Sequence, residues 1–152
     1  MLAERYRSLN ILVGQPLSEM WRYANFQRFE FGTQYSFINR KGEKAKRSDL
    51  LLDVSCQWLI THNKIELLSA SDYVNGKSAR AIEASWFFNV LKNDPPCVTA
   101  VYVNEKEDLT IELDHGFILY ILPATQKISA VDKDEQWCFM QPRSSLPELV
   151  VW

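Results

Sequence analysis

Two histidines, His62 and His115, and three cysteines, Cys56, Cys97 and Cys138, are the side chains of this 152-residue sequence best suited to covalent or metal chemistry. A nucleophilic mechanism needs a nucleophile, a base and a group that orients the base. Cys56 falls on an apolar face beside Trp58, where a thiolate is disfavoured, and both histidines fall in segments that read as solvated turns. No Cys-x-x-Cys or His-x-x-x-His pair puts two metal ligands on one element, and no glycine-rich loop precedes a helix to cradle phosphate. Asp132-Lys133-Asp134-Glu135 has the acids of a calcium loop but lacks its glycine and distal bidentate glutamate. No catalytic, cofactor or metal residue is therefore assigned, and no cofactor is expected. Acid–base work by paired carboxylates stays open, because pairing is spatial and fifteen acids lie in residues 49–152.

Charge is distributed unevenly along the chain. Residues 1–48 hold nine Lys and Arg against four Asp and Glu, and residues 49–152 hold eight against fifteen, for a net charge of −2. Such a division points to a charged partner. Glu105, Glu107, Asp108, Glu112 and Asp114 share one predicted hairpin, where like charges repel unless they are solvated or met by a basic surface. These five are the candidate partner-binding residues. The run Arg40–Arg47, with Tyr35 and Phe37 upstream, reads as an exposed basic loop. In a chain of pI near 5.7 it is thin ground for nucleic-acid binding, and nucleic acid is not the expected partner.

A core has to position these residues. With 47% apolar and 12% aromatic residues, the chain has ordinary globular composition and a length that suits one domain over 1–152. The strongest pattern is Leu50–Thr61. Leu50, Leu52, Val54, Cys56, Trp58 and Ile60 alternate with Leu51, Asp53, Ser55, Gln57, Leu59 and Thr61, which predicts one half-buried strand. It turns at His62-Asn63 into a returning strand with Ile65 and Leu67.

Phe26–Phe31 reads as a strand ended by Gly32, and Leu17–Ala24 as a strand or a helical turn. Over Ser78–Lys92 the period changes. Ala79, Ile82, Trp86 and Val90, widened by Phe87 and Leu91, predict an amphipathic helix with that stripe on the sheet, capped by Ser78 and stopped at Pro95-Pro96. Then come alternating strands over Cys97–Val103 and Leu109–Asp114, with a charged turn at Glu105–Asp108 and a tight turn at Asp114-His115-Gly116. Phe117–Leu122 is continuously apolar, as in a central strand covered on both faces. Gln136–Met140, with Trp137 and Phe139 on one side, adds a strand, and Leu149–Trp152 an edge. The expected fold is α+β: a twisted, mainly antiparallel sheet of seven or eight strands, half-barrel or sandwich, with one packed amphipathic helix.

The first residues carry charges where a signal peptide needs an apolar run, and no stretch approaches the roughly 18 apolar residues of a membrane span. An odd number of cysteines without close pairing suits a reducing compartment. A cytoplasmic location without membrane contact is expected.

Gly14-x-Pro16-Leu17, Phe29-x-Phe31-Gly32 and Leu52-Asp53-Val54-Ser55-Cys56-Gln57-Trp58 together resemble an uncharacterised family of small bacterial proteins. In that family the middle strand reads roughly Leu-His-Val-Gln-Cys-x-Trp-Arg. The resemblance continues through Leu109-x-Ile111-x-Leu113, Gly116, Pro123 and Trp137-x-Phe139, about residues 10–140. Asp53, Ser55 and Leu59 stand where the family has His, Gln and Arg, so chemistry carried by those positions would be missing. Such proteins look like immunity partners in bacterial toxin systems, including contact-dependent inhibition. The resemblance thus implies a non-enzymatic protein that binds a toxin domain, here a basic one. The alternatives are a small ligand-binding domain or enzyme with a pocket between sheet and helix, and a structural subunit that pairs through an edge strand.

A motif-free chain long enough for a self-supporting core should fold without metal. Its thermal midpoint is expected to be the same with and without chelator, and a drop on chelation would contradict this.

Overall fold

The computed structural model describes residues 2–23, 25–72, 80–123 and 135–152. Ser78, Ala79 and Asp132–Asp134 lie outside them. Among the described residues the chain forms ten strands in two antiparallel sheets of five. In chain order they are β1 (Leu17–Arg22), β2 (Gln27–Ile38), β3 (Lys44–Val54), β4 (Gln57–His62), β5 (Ile65–Ser69), β6 (Val98–Val103), β7 (Leu109–Leu113), β8 (Phe117–Leu122), β9 (Trp137–Met140) and β10 (Leu149–Val151). The first sheet has the order β1-β2-β3-β9-β10 and the second β5-β4-β8-β7-β6. One helix, α1 (Ala81–Asn93), and a 3₁₀ helix over Glu4–Leu12 complete the described elements. This is the α+β architecture expected, with the strands divided between two open sheets rather than gathered in one.

The alternation over Leu50–Thr61 is real, but its continuity is not. β3 ends at Val54 and β4 begins at Gln57, and the two strands belong to different sheets. Leu50, Leu52, Val54, Trp58 and Ile60 nevertheless all enter the same core cluster, with half-buried Cys56 against it. The bend at Ser55-Cys56 spans two residues, so the period of two survives it and the sequence reads straight through.

Gly32 does not end β2. It has φ +92°, a conformation that favours glycine, and sits where the β2–β3 register shifts between Phe31 and Gln34. The backbone N–H of Ser48 donates to Glu30 Oε1 at 2.8 Å, and Ser18 Oγ donates to the Gly32 carbonyl at 2.6 Å. Beyond this bulge β2 and β3 continue as partners, from Gln34 opposite Ser48 to Ile38 opposite Lys44. The second half of the basic segment expected as a loop, Lys44–Arg47, is therefore strand, and only Arg40–Glu43 make the turn.

Helix α1 is rotated from its expected orientation. Ala84, Phe87 and Leu91 are buried, whereas Ile82 is 84% and Trp86 43% exposed. Apolar residues occupy more than one stripe of this helix, so periodicity alone does not choose the inward one. Packing chooses it: the Phe87 ring lies 5.3 Å from that of Phe117 on β8. β8 is central, between β4 and β7, but it buries Phe117, Leu119 and Ile121 on one face and leaves the other half-exposed. The 3₁₀ helix was not foreseen. It buries Tyr6, Leu9 and Leu12, the spacing of three that lines up one face of such a helix.

Trp58 is 1% exposed and meets Phe29 edge to face at 5.3 Å. In urea denaturation, Trp58→Ala and Phe87→Ala should each cost about 3–5 kcal/mol. Ile82→Ala should cost less than about 0.5 kcal/mol, as at an exposed site. A larger loss at Ile82 than at Phe87 would reverse the assigned helix faces.

Candidate functional site

The five predicted partner-binding acids do not form one patch. Glu105, Glu107 and Asp108 lie in the turn between β6 and β7, whereas Asp114 lies past the other end of β7. At 3.2–3.4 Å per residue the two ends are roughly 20 Å apart. Three of the acids are engaged within the fold. Glu107 has φ 65°, accepts the Tyr6 hydroxyl at 2.6 Å and pairs with Arg5 at 3.0 Å. Burial and the Glu107 hydrogen bond raise the Tyr6 phenol above its ordinary pKa. Asp108 accepts from Asn104 Nδ2 at 2.9 Å, and Asp114 Oδ1 accepts the Cys97 N–H at 2.9 Å. Glu105 and Glu112 have carboxylates with no ion-pair partner among the described residues.

Glu112 belongs to a larger surface. Val101, Ile111, Leu119 and Ile60 point into the core, so their neighbours point out. Pairing aligns Tyr102, Thr110, Tyr120 and Leu59 in one row across β6, β7, β8 and β4. The adjacent row contains Ala100, Glu112 and Ile118. Tyr102 is 53% exposed, while Tyr120, Leu59 and Ile118 are half-buried. The alternation already implied that these side chains share a face, but not that four strands bring them side by side.

The histidines are closer than their separation in sequence implied. His62 is the last residue of β4 rather than a solvated turn residue, and the turn itself is Asn63-Lys64, with φ 50° and 69°. The His62 ring stacks on Phe117 at 4.4 Å and lies 5.3 Å from Trp86. Exposed His115 lies 3.9 Å from Asp94 and 3.7 Å from Asp114. Both rings wall a cavity of about 380 Å³, mostly apolar, with Trp86 and Phe117. Neither lines the larger cleft of about 980 Å³ that contains Cys56, Asp53, Arg22 and Glu135 at the passage from β3 to β4. Asp53 is held there by Arg28 in a two-pronged ion pair of 2.7 and 2.9 Å. No group of three or more His, Cys, Asp or Glu among the described residues is placed to hold a metal ion.

A groove of about 630 Å³ does lie between the first sheet and α1, lined by Ser18, Glu19, Trp21, Phe88 and Lys92. Glu19 stands opposite Glu30 in the β1–β2 pairing, a carboxylate pair that no sequence pattern marked. Burial, then the charge of Glu30, raises the Glu19 pKa, and Trp21 Nε1 donates to it at 3.1 Å. Glu30 is 3% exposed and already accepts the Ser48 N–H across the bulge, so its first duty is to the strand.

The end of the β2–β3 hairpin is the most strongly charged element. It exposes Arg40, Lys41, Lys44 and Lys46, and Arg47 is half-buried. Tyr35 and Phe37 lie on the face of Arg47, whose guanidinium is 4.6 Å from the Phe37 ring, and Arg143 covers Tyr35 at 4.2 Å.

No family model, curated protein or solved structure matches the chain. No helix among the described residues is long and apolar enough to cross a membrane.

All three cysteines are free thiols. Burial pushes the Cys56 thiol up to about 12 and raises that of Cys138 as well. At pH 8 iodoacetamide should modify Cys56 at least about a hundredfold more slowly in the folded protein than in urea, because only the thiolate attacks. The folded thiol keeps its proton to about pH 12, whereas an ordinary one loses it near 9.0. Its stabilising contribution is therefore complete below the lower value and lost as pH rises through the higher. Cys56→Ala should flatten that alkaline loss, and equal alkylation rates in the folded and unfolded states would refute the assignment.

Proposed function

We propose that this chain is a non-enzymatic binding protein of the immunity type, which occludes a toxin domain with the outer face of its second sheet. The observation that supports this most is the row Tyr102, Thr110, Tyr120 and Leu59, bordered by Ile118 and by the unpaired carboxylate of Glu112. Tyrosine is enriched in protein interfaces because it offers a large rigid area with a polar tip. The Glu112 carboxylate, which has no ion-pair partner among the described residues, favours a partner that presents a cation there. Glu105, on the neighbouring turn, adds long-range attraction that speeds encounter, while the flat face blocks the partner sterically. Glu107, which ties the hairpin to the 3₁₀ helix, and Asp108 and Asp114, which brace the hairpin itself, contribute little to such a contact. The likeness to immunity-type proteins through Leu52, Val54, Cys56 and Trp58 supports the same reading, since Leu52, Val54 and Trp58 belong to the core behind that surface and half-buried Cys56 packs against it.

The test is made against any toxin domain found encoded beside this chain's gene. Glu105→Lys with Glu112→Lys should slow association at least about tenfold at low salt, where charge steering is strongest. Tyr102→Ala with Tyr120→Ala should speed dissociation and abolish growth protection, as expected for aromatic anchors. The charge reversals should leave the thermal midpoint nearly unchanged. Full protection by both double variants, with the proteins folded, would remove this face from the interface.

A further inference from the structure

From the end of β2 to the start of β3 the hairpin is a two-stranded ribbon with both edges open. β1 pairs with β2 only at Gln27–Phe31, and β9 pairs with β3 only at Leu51–Val54. Between Gln34 and Ser48 the two strands pair only with each other among the described residues. Five residues per strand extend this ribbon by about 17 Å. Isolated two-stranded ribbons are marginal in water, and this one is braced from its base. Arg143 donates to Asp49 and lies over the Tyr35 ring, and Arg47 lies over Phe37.

The charge of the ribbon is one-sided in sign and all-round in space. Residues 40–47 contain Arg40, Lys41, Lys44, Lys46 and Arg47 against Glu43 alone. None of the five cations is in an ion pair among the described residues. Lys44 and Lys46 alternate onto one face, Arg47 lies on the other, and Arg40 and Lys41 occupy the turn.

We infer that the β2–β3 ribbon is a double-stranded DNA-binding arm, which enters a groove and contacts phosphates with both faces and its tip. An acidic protein surface would meet one face of the ribbon and leave the other cations unused, whereas a groove has phosphates on both walls. The major groove of B-DNA is wide enough for a two-stranded ribbon, and the corresponding groove of duplex RNA is too deep and narrow. Single strands are bound by stacking bases on open aromatic rings, but guanidinium groups already cover Tyr35 and Phe37. The net charge of −2 on the whole chain is no obstacle, because charges beyond about 8–10 Å are screened at physiological salt. The arm belongs to the first sheet and the tyrosine face to the second, so this inference does not depend on the proposed toxin contact.

The experiment is fluorescence anisotropy with a labelled duplex of about 20 base pairs, titrated between about 50 and 200 mM salt. The wild-type chain should bind in the micromolar range at low salt, with log K falling against log salt at a slope of about −3 to −5. Lys44→Glu with Lys46→Glu, and separately Arg40→Glu with Lys41→Glu, should each weaken binding at least about tenfold and flatten the slope, with unchanged thermal midpoints. No binding at about 100 µM protein in low salt, or wild-type affinity in both folded double variants, would overturn the inference. So would tighter binding to a single strand of the same length, or to a polyglutamate peptide of matched charge, which would assign the arm to an acidic protein instead.

Discussion

Phe29 of β2 and Trp58 of β4 meet edge to face, 5.3 Å between centroids, and join one sheet to the other. The chain reaches this contact by a two-residue bend, Ser55-Cys56, which carries it from β3 in the first sheet to β4 in the second. Whatever faces inward before the bend must face inward after it, or one sheet would turn its polar side to the core. The unbroken alternation from Leu50 to Ile60 meets that demand. Removing the Trp58 side chain would open a void at the place where the two sheets share a core, and a void in a close-packed interior loses contacts on every side. Both surfaces with a proposed role lie on the backs of these sheets or beyond their edge, and they take their position from this junction.

The inner faces were the most legible part of the fold. Phe29, Phe31, Leu50, Leu52, Trp58, Ile60, Leu109, Ile111, Trp137 and Phe139 are all buried, as their alternation required. Period two records which way a side chain points, but not which strands are neighbours. The division into two sheets and the crossing at Ser55 depend on long-range pairing and left no local mark, whereas the central place of β8 was legible in its continuous apolar run. Helix α1 failed differently. With Ile82, Trp86 and Phe88 apolar as well as Ala84, Phe87 and Leu91, several faces satisfied a helical period, and contact with Phe117 decided among them.

Charged residues were read least well, because their role depends on what lies within a few ångströms. Glu107 and Asp114 looked like members of one acidic surface, yet one receives a tyrosine hydroxyl and the other a strand N–H. Nothing in Glu-x-Glu-Asp spacing reveals that Tyr6 or Cys97 will stand opposite. Glu30 is a clearer case: a buried carboxylate in a strand, retained because the bulge at Gly32 leaves the Ser48 N–H to be satisfied. An unsatisfied buried donor would cost about 1–3 kcal/mol, so the acid there answers a backbone demand rather than a ligand.

The basic segment shows the converse. Averaged over the chain, its five cations vanish into a slightly acidic total, and as a loop they would have been free to fold back onto the acids of residues 49–152. Pairing prevents that. Tyr35 opposite Arg47 and Phe37 opposite Ala45 hold the segment as an extended ribbon, and Arg143 fastens its base to Asp49. Held away from the carboxylates, the cations do not neutralise them, and a field that cancels in the sum persists locally. The back of the second sheet carries Glu112 beside Tyr102 and Tyr120, so the two surfaces differ in the sign of their charge. A partner suited to one would not suit the other, so the two proposed contacts are independent of each other.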